Sequence, residues 1–478
     1  MTYEVTDAEY QNEHNTNKQY LYCAMPPKMK GKAFFEKTSY VMKYPNADDF
    51  DDGYELMEEV LDRVDQFRFI RSEHFDLYEM IHHMIRRGYK GIFPASPKHI
   101  SYQYAVASGE HIKPPMGKAT ADTAALLSTS GNGKTTSIEW IMRACFPQVI
   151  RHRTNDFDDY QITYIKIDMP HNCARPELIY RLLEQVDIVL EKAGYPETGY
   201  AQSVLTQKGK RIPIAEMFET LRTVLTRHHV GLFIIDEVQN LEAAGDKERK
   251  LMIQLFDDLC NSLKVPHIKI GTPNTVKIFA ERMRHQRRLG EIIELTRITD
   301  KDEIEAFNEE FFSGIEKAVF VSSLDKVVNE FWVQSAGIPS VFMDLFRACM
   351  RAVLPRKKVL TPEVVSATMR KVYPNLIPAL KGLREKGFGD SIDLMTVDEI
   401  YQTDKHEALI ELETFMRQQK PRGQAAKRML ERVLDLEANY VFSEEESYVL
   451  SSIKSDLLSK ASQQTGSQTL DGELADEA

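Results

Sequence analysis

The stretch Ser128-Thr-Ser-Gly-Asn-Gly-Lys-Thr-Thr136 constrains this chain most, because of what stands on either side of it. The apolar Ala124-Ala-Leu-Leu127 reads as a strand running in, and Ser137-Ile-Glu-Trp-Ile-Met-Arg143 reads as a helix running out. A strand that enters a glycine-bearing loop and opens a helix aims successive backbone N–H groups at one point, where the helix N-terminus adds positive potential. Phosphate is the guest that such a cradle suits. Ser130, Gly131, Asn132, Gly133, Lys134, Thr135 and Thr136 are the expected cradle. Gly131 and Gly133 let the backbone approach without a Cβ clash, Lys134 reaches the β/γ-phosphates, and the Thr135 hydroxyl ligates Mg2+. The implied cofactors are therefore ATP and Mg2+. The P-loop pattern opens on glycine, whereas this chain has Ser128, which is expected to tolerate the turn less freely. A Gly-Lys-Thr turn alone is also an ordinary helix entry, so the reading needs a second element.

That element is Val230-Gly-Leu-Phe-Ile-Ile-Asp236-Glu237. The unbroken apolar run Leu232 to Ile235 reads as a parallel strand buried on both faces. Two acids at its carboxyl end stand where open α/β sheets bind ligands. Asp236 is expected to hold the Mg2+ water shell and Glu237 to polarise an attacking water for in-line transfer. Pro266-His-Ile-Lys-Ile-Gly-Thr272-Pro-Asn274 reads as another strand, and Thr272 or Asn274 is placed to sense the γ-phosphate through that water. Beyond it, Arg282, Arg284, Arg287 and Arg288 fall within seven residues. Such a run is either a solvated helix face or, after a sensor strand, a source of an arginine finger reaching a neighbouring subunit's nucleotide.

With 478 residues the chain exceeds one ordinary core, and two or three domains are expected. A net charge of −11 means that any nucleic-acid contact rests on a local basic patch. The candidates are Lys208, Lys210 and Arg211 around Gly209, with Arg175 at the start of a helix. A second aromatic and basic cluster is His82, His83, Arg86, Arg87, Tyr89 and Lys90, although cations also favour a helix C-terminus for its dipole alone. The five scattered cysteines suggest neither a disulfide framework nor a zinc site. No apolar run reaches membrane-spanning length and Met1-Thr-Tyr-Glu-Val is not a signal peptide, so a soluble cytoplasmic protein without membrane contact is expected. From Thr296 the apolar spacing is helical, with Phe307, Phe311, Phe331, Phe342 and Phe346 as core rather than a stacking platform. Charged helical stretches occupy 397–435, and 462–478 is acidic and poor in apolar residues, which predicts disorder until it is bound.

Taken together, the P-loop, Asp236-Glu237, Gly271-Thr-Pro273 and the trailing arginines resemble an AAA+ ATPase. Within that class the chain resembles the TnsC family, the ATP-dependent regulators of Tns-type transposons. The resemblance is carried by Arg87-Gly-Tyr-Lys-Gly91, Gly133-Lys-Thr-Thr-Ser137, Phe146-Pro-Gln-Val-Ile150, Tyr164-Ile-Lys-Ile-Asp168 with His171-Asn172, Phe233-Ile-Ile-Asp-Glu-Val-Gln239 and Ile270-Gly-Thr-Pro273. It spans about residues 75–360. It implies a homo-oligomeric ring or filament on double-stranded DNA that links a target-selection protein to transposase subunits, hydrolyses ATP to reset, and is nucleoid-associated when on DNA. No arginine stands at the second-sensor place near Ser335-Ala-Gly-Ile-Pro339. The expected architecture is an α/β parallel sheet at 121–297 with a helical lid at 298–385. An N-terminal partner or DNA-contact region at 1–120 and a helical to disordered partner-binding tail at 386–478 flank them. An ATP-driven signalling or scaffold AAA+ protein without DNA contact is an alternative, as is a P-loop kinase, against which Glu237 argues because a kinase needs an acceptor hydroxyl rather than a polarised water.

Overall fold

The computed structural model describes residues 5–11, 18–110, 112, 121–196, 198–280, 289–386, 405–406, 408–416, 424–440 and 442–462. The chain divides into two compact units, Met1–Thr396 and Val397–Ala478. The strands of the first unit are β1 Val5–Asp7, β2 Thr123–Ser128, β3 Val149–Arg153, β4 Asp158–Ile162, β5 Ile165–Asp168, β6 Phe233–Asp236, β7 His267–Gly271 and β8 Glu291–Leu295. Five of them make a parallel sheet in the order β5-β6-β7-β2-β8. β6 and β7 are buried along their whole length and β2 from Ala124 onward, as central parallel strands covered on both faces must be. Because β2 lies between β7 and β8, the loop after it opens into the crevice at the carboxyl ends of the strands. β1 and β4 flank β3 in a smaller mixed sheet.

Among the described residues of this unit, the α-helices before the lid are α1 Tyr20–Cys23, α2 Gly31–Thr38, α3 Gly53–Gln66, α4 Ser72–Tyr89, α5 Pro97–Ala107, α6 Lys134–Cys145, α7 Arg175–Lys192, α8 Tyr200–Ser203, α9 Ile214–Arg227, α10 Asp246–Asp258 and α11 Thr275–Ala280. In α6, the core residues Ile138, Ile141, Met142 and Cys145 recur at helical spacing and meet Leu77, Ile81 and Met84 of α4 over Leu126, Ile234 and Ile268 of the sheet. The lid follows as α12 Lys301–Phe312, α13 Leu324–Ser335, α14 Pro339–Val353, α15 Pro362–Val372 and α16 Ile377–Lys386. Its centre is aromatic, with Phe311, Phe331, Phe342 and Phe346 fully buried.

The stretch before the P-loop is shared between these two cores. α1, α2 and α4 belong to the sheet's core, whereas Met42, Tyr44 and the α3 residues Leu56, Val60 and Val64 belong to the lid's. α3 has a one-sided apolar face that needs a partner, and the lid supplies it: Phe67 packs edge-to-face on Phe307 and Phe311, with ring centroids 5.4 and 4.9 Å away. Gly53 starts α3 so close to the lid that a Cβ there would lie 2.5 Å from the Leu354 carbonyl oxygen. The basic and aromatic cluster at the end of α4 is divided between interior and surface. The Tyr89 hydroxyl donates to the His229 carbonyl at 2.7 Å, and a ring nitrogen of buried His82 lies 2.9 Å from the Pro26 carbonyl oxygen. Arg86 covers the Tyr22 ring, while Arg87, which pairs with Asp122 at 3.4 Å, is exposed together with His83 and Lys90.

In the second unit, helical residues 408–416, α17 Gln424–Asn439 and α18 Glu444–Ser462 enclose a small core of Leu409, Leu412, Val433, Leu436, Leu450 and Leu457. The acidic 463–478 stretch lies outside the described residues.

Candidate functional site

The phosphate loop begins where β2 ends. Ser128 is the last strand residue, fully buried, and its φ is not positive, so the expected cost of serine at this position is absent. Its hydroxyl donates to the Thr129 carbonyl at 3.0 Å. The left-handed turns fall instead on Gly131 (φ +89°) and Gly133 (φ +84°). Asn132 is buried under the loop, donating to Thr129 Oγ1 at 2.6 Å and to the Leu295 carbonyl at 3.3 Å. Gly133 caps α6, so Lys134 and Thr135 occupy its first turn while Ser130 and Thr136 face solvent.

Thr135 meets the strand-end acid directly. Its hydroxyl donates to Asp236 Oδ2 at 2.9 Å, and Oδ1 of the same carboxylate accepts the Glu237 N–H at 2.8 Å. Glu237 adopts a left-handed backbone (φ +58°), uncommon for a side-chain-bearing residue, which ends β6 sharply and turns the chain into a 3-10 segment. Its Oε2 accepts from Gln239 Nε2 at 2.6 Å. β7 ends alongside the 3-10 segment: a Cβ on Gly271 would lie 3.3 Å from Gln239 Oε1, and Thr272 and Asn274 follow directly in the chain. Thr272 is buried and its carbonyl accepts the Thr275 N–H at 2.9 Å. Thr135 and Asp236 present hard oxygen donors, the type that holds Mg2+ together with substrate phosphates.

Three contributors escaped the sequence reading. Lys166 on β5 lies 3.3 Å from Asp236 Oδ2, 2.9 Å from Glu139 Oε1 and 3.7 Å from Asp168 Oδ1. Burial opposes its charge, but the Glu139 hydrogen bond and the surrounding carboxylates outweigh it and hold the ammonium above the usual lysine range. Gln239, which grips Glu237, is the second. The third is the start of α14, where the Ser340 N–H donates to the Gly131 carbonyl at 3.0 Å and Ile338 lies so near that a Cβ on Gly131 would sit 2.8 Å from its Cγ2. The lid thus reaches the loop through Ile338 and Ser340, beside the stretch Ser335 to Pro339 that carries no arginine.

A further link runs from the P-loop helix to the lid. The buried His74 Nδ1 accepts the Arg71 N–H at 2.9 Å, which leaves Nε2–H to donate to Ser137 Oγ at 2.9 Å. Burial, with the Arg71 charge, pushes this imidazole down to about 4, in keeping with its neutral tautomer. Arg71 in turn pairs with Glu73 at 2.7 Å and Glu303 of α12 at 3.0 Å, and donates to the Thr296 carbonyl at 2.7 Å.

Of the basic candidates, Lys208 and Lys210 are exposed on a tight turn around Gly209 (φ +71°). Arg211 pairs with Glu177 and covers the Tyr180 ring at 5.2 Å, which puts this turn beside the first turn of α7 where Arg175 stands. Arg282, Arg284, Arg287 and Arg288 lie outside the described residues. No helix among the described residues is long and apolar enough to cross a membrane, and all five cysteines are buried.

The family model described as bacterial TniB protein matches residues 93–297, under half of the chain. A comparison with curated proteins found no match. Solved structures similar to the chain include the Aeropyrum pernix Orc1 protein in complex with DNA, at 15% identity over 75% of this chain and 82% of that one, TM-score 0.36. A Walker-type ATPase of Pyrococcus abyssi is 12% identical over 77% and 90%, TM-score 0.38, and the Drosophila ORC bound to DNA is 11% identical over 92% and 90%, TM-score 0.33. With scores this low, the chain's own strand order, P-loop and lid define its fold, which is the α/β AAA+ architecture with helical extensions.

Proposed function

We propose that this chain is an ATP-hydrolysing AAA+ regulator of DNA transposition. The observation that carries the reading is the closure of the P-loop on the strand-end acids, with Thr135 bonded to Asp236 and Glu237 beside it. Bound MgATP would be held by Ser130 to Thr136 and Asp236, and the metal would neutralise charge on the transferred phosphoryl group. Glu237, released from Gln239, orients and deprotonates the attacking water, and Thr272 or Asn274 holds that water in line. One arginine of the 282–288 cluster completes the site from a neighbouring copy. Lys208 and Lys210, with Arg175 and Arg211, contact duplex phosphates without reading sequence. The transposition role, with a target-selection protein and transposase subunits as partners, is supported by the resemblance to TnsC-type regulators and by the TniB match.

Electron microscopy of the full chain with a non-hydrolysable ATP analogue, with and without duplex DNA, tests this reading. Rings or filaments that form on DNA support it. Assembly with nucleotide that ignores DNA favours an ATP-driven scaffold instead, and absence of both assembly and DNA binding contradicts the proposal.

A further inference from the structure

The basic side chain beneath the nucleotide crevice has no part in the scheme above. Lys166 projects from β5, is largely buried, and reaches three carboxylates on three elements: Glu139 of α6, Asp168 of β5 itself and Asp236 of β6. The contact with Asp236 is to Oδ2, the atom that also accepts from Thr135. Oδ1 is engaged by the Glu237 N–H, so Oδ2 is the oxygen that a metal's water shell would use. Three carboxylates against one ammonium leave the cluster at −2, so a dication arriving at Thr135 and Asp236 meets the attraction of the carboxylates already reduced by the lysine's repulsion.

We propose that Lys166 is a positioning residue that sets the Mg2+ requirement of the nucleotide site: it holds a permanent cation against Asp236 and keeps metal affinity low enough for Mg2+ to leave with the spent nucleotide. Glu139 divides the ammonium between α6 and Asp236 and so tunes how strongly it competes. The inference rests on the nucleotide-binding reading.

The test is a Mg2+ titration of the full chain with a fluorescent non-hydrolysable ATP analogue, which reads binding rather than turnover. Lys166→Met should lower the midpoint for Mg2+ at least about fivefold, because one of the opposing charges is gone. Its affinity for the analogue in excess EDTA should stay within about twofold, and Lys166→Arg, which keeps the charge, should leave the midpoint near wild type. Glu139→Gln should move the midpoint the other way, because the lysine then loses its nearest carboxylate and is shared only between Asp236 and the more distant Asp168. If Lys166→Met does not fold, Glu139→Gln decides the matter. A midpoint that is unchanged or raised in Lys166→Met, or unchanged or lowered in Glu139→Gln, overturns the proposal. So does loss of EDTA-state affinity in Lys166→Met, which would make the lysine a phosphate ligand instead. Failure of the wild type to bind the analogue under any condition is a different result: it removes the nucleotide reading, and this inference with it.

Discussion

At the carboxyl ends of the large sheet, Lys166, Glu139, Asp168 and Asp236 sit together as charges, while beside it, on the flank made by β3 and β4, two sets of neutral hydrogen-bonded side chains, His152 with Tyr10 and Gln161 and His228 with Tyr200, surround the carboxylate of Asp159, which pairs with Arg227. The imidazole of His152 lies 2.8 Å from the Tyr10 hydroxyl and 2.9 Å from Gln161 Oε1, and Gln161 Nε2 donates to the Leu21 carbonyl at 3.1 Å. His228 lies 2.7 Å from the Tyr200 hydroxyl. Burial pushes His152 down to about 4 and His228 to about 3, so both are uncharged near neutrality. Buried neutral side chains paired by hydrogen bonds, as His152 and the Nε2 side of His228 are, contribute mainly to the fold, whereas ions kept in a half-buried crevice cost desolvation and repay it only in binding and chemistry. Changes at the crevice should therefore alter function with the fold intact, and changes on the flank should do the reverse.

The largest effect expected is at the crevice. Lys134→Ala should abolish ATP binding, and Glu237→Gln should keep ATP bound while turnover falls at least about a hundredfold, both with an unchanged unfolding midpoint. ATP affinity and hydrolysis rate measured side by side check this, and normal turnover in Glu237→Gln would remove the water-polarising role.

Next in size is acid lability of the flank. His152 and His228 have folded values below the ordinary 6.5, so their neutral forms contribute fully above that pH. As pH falls from 6.5 toward 4 and 3 the unfolded chain takes up protons that the folded chain refuses, at about 3 kcal/mol for His152 by pH 4. Urea midpoints at pH 7, 6 and 5 should decline steadily. A flat profile would mean that the flank is not held as neutral dipoles.

Smaller again is the DNA surface. Lys208→Ala with Lys210→Ala should weaken duplex binding uniformly across sequences and lower the slope of log affinity against log salt by about 2, with ATP binding unchanged. A wild-type slope in the double variant would place the DNA surface elsewhere. Smallest is Ser128→Gly, which should change ATP affinity by no more than about twofold, since the left-handed turns belong to Gly131 and Gly133.

The crevice was legible to the extent that its chemistry is local. Ser128 to Thr136 and Asp236-Glu237 are contiguous runs whose flanking apolar segments announce a strand, a loop and a helix. Lys166 and Glu139 left no such mark, because their partnership crosses from α6 to β5 and either residue alone looks like a surface charge. Ser340 was invisible for the same reason, its role being a backbone contact from the lid to Gly131. The N-terminal stretch differs in another way: the apolar spacing of Leu56, Val60 and Val64 or of Leu77, Ile81 and Met84 marks a helix but does not say which core it joins, and α3 goes to the lid while α4 goes to the sheet. The serine at the head of the P-loop looked costly because a pattern of residue types carries no backbone angles, and the angle there is ordinary.

The most direct test of the account is steady-state ATP hydrolysis by the full chain in Mg2+, with and without duplex DNA. It predicts measurable turnover that duplex raises by at least about fivefold, the usual floor for coupling between two sites, and that Glu237→Gln loses in both conditions. Hydrolysis that duplex DNA leaves unchanged, or that survives in Glu237→Gln, would contradict it.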